Sequence, residues 1–140
     1  MKVKDIMTDR VIRVHPEECV AVAARQLATN HIGAMPVCGN DGRVLGVVTD
    51  RDLVVRCLAA GRSPEKTKVR EVMTGYVVSV TPDTGIRAAA TVMGHRQIRR
   101  LPVVEDGKLL GMVSLSDLAA REESAFDAVD ALSTISNQVL

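Results

Sequence analysis

Gly46-Val47-Val48-Thr49-Asp50-Arg51-Asp52-Leu53 returns, in pattern, as Gly111-Met112-Val113-Ser114-Leu115-Ser116-Asp117-Leu118. In both, a glycine leads an apolar run, a hydroxyl ends it, and a carboxylate follows one helical turn later. Outward from this octet the rest of the chain repeats as well. Ile32-Gly33-Ala34-Met35-Pro36-Val37 matches Ile98-Arg99-Arg100-Leu101-Pro102-Val103, and Val11-Ile12-Arg13-Val14-His15-Pro16 matches Val77-Val78-Ser79-Val80-Thr81-Pro82. Val3-Lys4-Asp5-Ile6-Met7-Thr8 matches Val69-Arg70-Glu71-Val72-Met73-Thr74. The offset is 66 residues from Val3 to Val69 and 65 from Gly46 to Gly111. One residue is lost between the turn Gly39-Asn40-Asp41-Gly42 and its mate Glu105-Asp106-Gly107. A long period present in only two copies reads as a pseudo-symmetric pair and not as a solenoid, which stacks more copies. Two related halves create paired, similar sites, and that favours binding over catalysis.

The pattern predicts strand, helix, strand, strand, helix in each half. Val11 to Val14 is a short β-rich run. Pro16-Glu17-Glu18 reads as a helix start, because proline suits the first turn and acids suit the positive end of the dipole. That helix is expected to continue to Ala28. In the second half Thr81 is the expected N-cap before Pro82-Asp83, with the helix running to about His95. Met35-Pro36-Val37-Cys38 and Val44 to Val48 flank a Gly/Asn/Asp turn and read as a hairpin. Thr49 to Ala60 reads as a second helix, stopped by Gly61. The expected domains are a first repeat over 1–61, a polar linker over 62–68, a second repeat over 69–122 and an amphipathic tail helix over 123–140. In the tail, Phe126, Val129, Leu132 and Ile135 fall at three-residue spacing, with Val139 beyond.

Composition removes several function classes. Hydrophobic residues make up 46% of 140 residues, enough for a core, yet aromatics are 1%: Tyr76, Phe126 and no tryptophan. The core must be aliphatic, and base stacking on aromatic platforms, the usual device of single-strand binders, has nothing to use. A net charge of +1 provides no broad basic field for duplex nucleic acid. No apolar run is long enough to span a membrane, and Met1-Lys2-Val3-Lys4-Asp5 lacks the apolar core of a signal peptide. Cys19, Cys38 and Cys57 form no C-x-x-C pair, which fits a reducing cytoplasm.

Two places carry possible chemistry. Thr49-x-x-Asp52 and Ser114-x-x-Asp117 each follow a strand and open a helix. A hydroxyl beside free backbone N–H groups suits a phosphate, and a carboxylate one turn on suits a ribose diol. The same spacing is also a capping box, a purely structural device, and the residues alone leave both readings open. Arg99-Arg100 stands where the first half has Gly33-Ala34. One guanidinium aimed inward would bind phosphate bidentately; the other reading is a solvated surface pair. The contrast predicts unequal halves, one able to neutralise phosphate and one uncharged. His15, His31 and His95 show no metal-ligand spacing. Neither Cys19 nor Cys57 has a neighbouring histidine to make a nucleophile, and Cys38 reads as core.

The repeated string Val-x-x-h-Met-Thr, h-x-x-h-Pro-Val, Gly-h-h-[Thr/Ser]-x-x-Asp-Leu (h, apolar) resembles a tandem pair of CBS domains (cystathionine β-synthase domains, a Bateman module) over about residues 1 to 122. Its wording is similar to that of small stand-alone bacterial and archaeal stress- and hypoxia-response proteins. The resemblance implies an α/β (α+β) fold of β-α-β-β-α per repeat, the two repeats packed sheet to sheet with pseudo-twofold symmetry. It implies a cytoplasmic homodimer that is not an enzyme, needs no cofactor, and acts on a separate downstream protein. It implies an adenosyl ligand in the cleft between repeats: AMP, ADP, ATP, S-adenosylmethionine, or in some members NAD or a cyclic dinucleotide. Carried over residue by residue, Asp52 and Asp117 hold ribose, and Thr49 and Ser114 hold ribose or phosphate oxygen. Arg99, Arg100 and Arg51 reach phosphate. Val11, Ile12, Val77 and Val78, with Met35, Pro36, Leu101 and Pro102, line the adenine pocket. Gly33-Ala34 departs from a phosphate site, and Ser116 stands where the first repeat has Arg51. The competing expectations are a ligand-free dimeric scaffold and, third, a thiol or metal sensor.

Overall fold

The computed structural model describes residues 1–137, so Val139 of the tail lies outside the described residues. The chain divides into two compact units that do not follow the sequence repeats. An early unit comprises Ile12–Val77, and a late unit comprises Met1–Val11 with the chain from Val78 on. Each repeat therefore gives its opening segment to the unit built on the other repeat.

The early unit contains α1 (Val20–Asn30), an antiparallel hairpin of β1 (Ala34–Cys38) and β2 (Val44–Thr49), and α2 (Asp50–Leu53), which runs on as a π-helical turn over Val54–Leu58. The late unit contains α3 (Ile86–Arg96), the antiparallel hairpin β3 (Arg100–Glu105) and β4 (Lys108–Ser114), α4 (Leu115–Ala119) and α5 (Ala125–Asn137). Short 3-10 turns at Val3–Asp5 and Val69–Glu71 mark the exchanged segments. Each core is aliphatic. Met35, Val37, Val48, Val69 and Val72 are fully buried in the early unit, and Ile86, Met93, Leu101, Val103 and Leu118 in the late one.

The exchange is held the same way twice. Thr8 pairs with Met112 through hydrogen bonds of 2.9 and 2.8 Å, and Thr74 with Val47 through two of 2.9 Å. Glycine is required opposite both. A Cβ on Gly46 would lie 2.5 Å from the Thr74 carbonyl oxygen, and one on Gly111 would lie 2.6 Å from Met7 Sδ and 2.8 Å from the Thr8 carbonyl oxygen. The repeated glycine and the repeated Met-Thr are thus two sides of one contact. Ion pairs repeat in register: Lys2 and Lys4 reach Asp83 at 3.2 and 3.1 Å, and their mates Lys68 and Arg70 reach Glu17 at 2.6 and 3.0 Å.

Several expected elements differ. The first strand of each half shrinks to a single parallel bridge, Val14 to Val37 and Val80 to Val103. Val14 N–H donates to the Pro36 carbonyl and Cys38 N–H to the Val14 carbonyl, at 3.1 and 2.9 Å. The next rung would need an N–H on Pro36, which has none, so the ladder stops there; Pro102 does the same beside Val80. The first helix starts at Val20, capped by Cys19, and not at Pro16. Residues 15–18 instead make a turn, Glu18 N–H donating to the His15 carbonyl, and Val20 N–H donates to the Thr67 carbonyl and Val69 N–H to the Glu18 carbonyl. Likewise α3 starts after Gly85 and not after Thr81. Ile86 N–H donates to the Met1 carbonyl, and Thr81 instead closes a local turn with the Thr84 hydroxyl. The second helix of the first half ends as expected near Gly61, where φ is +74°.

The tail forms α5, but turned away from the expected stripe. Ala128, Ala131 and Ile135 are buried, whereas Phe126 is 86% exposed, Val129 58% and Leu132 43%. Gly94 of α3 explains this. Its missing side chain lets the α5 backbone come so close that a Cβ there would lie 3.0 Å from Ala131 Cα. A helix contact that close takes alanines and excludes the larger residues. Arg87 to Asp127 at 3.0 Å, and the Ser124 hydroxyl donating to the Leu118 carbonyl at 2.7 Å, fix the start of α5.

Candidate ligand groove

The two Ser/Thr-x-x-Asp motifs are complete capping boxes. Thr49 N–H donates to Asp52 Oδ2 and Asp52 N–H to Thr49 Oγ1, both at 3.0 Å. Ser114 N–H donates to Asp117 Oδ2 at 2.9 Å and Asp117 N–H to Ser114 Oγ at 3.1 Å. Of the two readings left open by sequence, the structural one is therefore realised at both sites. Each carboxylate spends Oδ2 on its cap. Asp52 is almost buried, with Oδ1 3.9 Å from Arg56 Nε.

Around the second capping box the late unit opens a groove of about 450 Å³. Its polar lining is Arg99 and Arg100 at the start of β3, with Ser114 and Ser116 at the start of α4. The β3–β4 register sets this meeting, since Arg100 pairs with Ser114 and the Arg99 carbonyl accepts from Leu115 N–H at 2.8 Å. The two hydroxyls lie 2.9 Å apart. Both arginines are exposed, and among the described residues neither guanidinium has a hydrogen-bond or ion-pair partner. The other walls are apolar: Leu115 and Ala119 of α4, with Ala128, Val129 and Leu132 of α5.

Of the residues singled out by sequence, Arg99, Arg100 and Ser114 share this groove. Asp117 borders it through its cap but does not line it. Thr49, Arg51 and Asp52 lie at the matching corner of the early unit, where Gly33 and Ala34 replace the arginines. There Asp50 stands where α4 has Leu115, and a Cβ on Gly33 would lie 3.3 Å from Asp50 Oδ2. Met35, Pro36, Leu101 and Pro102 are buried; Val11, Val77 and Val78 are half-buried and Ile12 is exposed. Sequence reasoning missed Ser116 and the α5 wall. The repeat could not show that wall, since the helix has no counterpart, although its period did mark Val129 and Leu132.

Cys38 and Cys57 are buried and Cys19 half-buried, all as free thiols. Burial pushes the Cys38 thiol above its usual range, against a smaller opposing pull from Arg13. Among the described residues no three His, Cys, Asp or Glu side chains converge to hold a metal, and no helix is long and apolar enough to cross a membrane.

Two short α/β units, duplicated and stitched by exchanged openings, define a paired-repeat module. The CBS domain family matches residues 3–58 and 69–124, and the chain belongs to that family, with two copies. It is similar to the CBS domain-containing protein YhcV of Bacillus subtilis, 40% identical over 136 residues, covering 97% of this chain and 96% of that protein. Among solved structures it is similar to Hypoxic Response Protein I with two coordinated zinc ions. There the identity is 35% and the TM-score 0.77, over 85% of this chain and 97% of that one. It is also similar to the CBS domain pair of protein MJ0100 in complex with 5′-methylthioadenosine and S-adenosyl-L-methionine. There the identity is 28% and the TM-score 0.72, over 85% and 93% of the two chains.

Proposed function

We propose that this chain is a regulatory module, without catalytic activity of its own, that binds a phosphorylated adenosyl ligand such as AMP, ADP or ATP in the groove of the late unit. One observation carries the reading: two arginines, whose guanidiniums have no partner among the described residues, line one groove together with two hydroxyl side chains and five aliphatic ones. That polarity suits a molecule with an anionic end and a flat, weakly polar body. Guanidinium binds phosphate bidentately, and about 450 Å³ falls within the usual size of small-molecule sites. The adenosyl complex of the MJ0100 pair supports the ligand class. Asp117 borders this groove, with Oδ2 in the cap of α4 and Oδ1 outside it, and Thr49, Arg51 and Asp52 hold the corresponding positions of the early unit. Switching requires the ligand to bind one geometry better than another, with the response passed to a separate protein. The same reading takes the chain as a cytoplasmic homodimer.

Isothermal titration with AMP, ADP, ATP, 5′-methylthioadenosine and S-adenosylmethionine tests this. The phosphorylated ligands should bind, with Arg100→Ala weakening them about tenfold, the loss of roughly one charge-assisted hydrogen bond. A second reading, a protein-interaction scaffold, rests on the exposed Phe126, Val129 and Leu132 of α5. No heat with any of the five ligands would favour it.

A further inference from the structure

The groove is not a property of the duplicated repeat. Its fourth wall comes from α5, which begins at Ala125, one residue past the second CBS match at 69–124. The early unit has nothing equivalent. The π-helical turn that continues α2 ends at Leu58, and the chain then passes through Gly61 into the polar stretch 62–68. The early unit's matching corner carries Asp50 beside Gly33 and has Arg51 in place of the arginine pair, so an anion arriving there meets a carboxylate next to a single guanidinium.

Resting on the nucleotide reading above, we infer that α5 completes a binding site that only the late unit possesses, so that one chain binds one phosphorylated nucleoside. Val129 and Leu132 provide the surface against which the base lies while Arg99 and Arg100 hold the phosphate. These side chains are exposed because they face the groove and not the core; the core side of α5 belongs to Ala128, Ala131 and Ile135. The site also selects by charge. The Arg99 and Arg100 guanidiniums attract a phosphate and repel the sulfonium and ammonium of S-adenosylmethionine, so the preference should run opposite to that cation.

The test is isothermal titration of AMP into the full-length chain and into Val129→Glu and Leu132→Glu. Both substitutions are at exposed positions, so folding is retained, and circular dichroism checks it. Val54→Glu, at the exposed early-unit position that matches Ala119 of α4, is the control. The expected result is one AMP per chain, affinity lowered about tenfold or more by each α5 variant, and no change in the control. Two equivalent AMP molecules per chain, or unchanged affinity in both α5 variants, would overturn this inference while leaving the nucleotide reading intact. No binding of AMP, ADP or ATP to the unaltered chain would overturn the nucleotide reading, and this inference with it.

Discussion

The early unit has Gly33, Ala34 and Asp50 where the late unit has Arg99, Arg100 and Leu115, yet almost everything that holds the two units together internally is the same. Both have the hairpin, the capping box, the Met-Thr segment laid over a strand glycine, and a carboxylate clamped by two cations. Even the residues that end the first long helix match: His31 and Gln97 both take left-handed backbone, at φ of 54° and 58°. Duplication preserved what folding needs. Gly33, Asp50, Arg99 and Arg100 are exposed and outside both cores, whereas Leu115, where the early unit has Asp50, is buried in the late core. Divergence there, plus one added helix, distinguishes the late corner, with Arg99, Arg100 and α5, from the early one, with Gly33, Ala34 and Asp50.

Converting the late corner to the early one is the strongest way to break this comparison. Arg99→Gly with Arg100→Ala should lower affinity for AMP about 100-fold, each lost charge-assisted contact contributing roughly 1.5–3 kcal/mol before solvent screening, with little change in melting temperature. Titration calorimetry and a thermal melt of the same sample check both halves of that statement.

The next effect is on folding and tests the sameness. Gly46→Ala and Gly111→Ala each push a Cβ into the exchanged segment, and should cost about 1–3 kcal/mol, or roughly 3–9 °C in Tm. Gly46→Ala should cost more, because its Cβ meets a backbone carbonyl at 2.5 Å, whereas the nearest atom to Gly111 is the end of a flexible methionine. Equal, negligible losses would mean that the exchanged openings are not packed as described.

The smallest effect is electrostatic and should be parallel in the two units. The Lys68 hydrogen bond, aided by the charges of Lys68, Arg70 and His15, holds the Glu17 carboxyl below its ordinary 4.5. Hydrogen bonds from Lys4 and Lys2 hold Asp83 below its ordinary 3.8. A depressed carboxylate contributes stability that is fully present above its unfolded pKa and is lost as pH falls through its folded pKa. Both contributions should therefore disappear only in acid, below those ordinary values, and shrink in high salt, since the groups are exposed. Carbon-detected NMR titration of the two carboxyls should give depressed midpoints for both; a normal midpoint for either would remove its clamp.

Legibility in the sequence followed the range of the interactions. The hairpins, the turn glycines and both capping boxes depend on residues a few positions apart, and a reader of Thr49-x-x-Asp52 has every atom of the cap in view. The starts of α1 and α3 depend on partners far along the chain, Thr67 for Val20 and Met1 for Ile86, and Pro16 and Thr81 were misleading local signals. The shortened first strands turn on proline geometry: Pro36 and Pro102 were visible, but not which side of the strand they disarm. The facing of α5 was hidden because size periodicity marks large residues, whereas a glycine on the neighbouring helix selects small ones. The cationic corner was visible as the contrast between Arg99-Arg100 and Gly33-Ala34, and its apolar wall was not, since α5 exists once.

The most direct measurement is a ¹⁵N NMR titration of the full chain with AMP, read at the two matching corners. The account predicts shifts at Arg99, Arg100, Ser114, Ser116 and the groove side of α5, with Gly33, Ala34 and Thr49 unmoved. Shifts of equal size at Gly33 and Ala34, or no shifts anywhere, would contradict it.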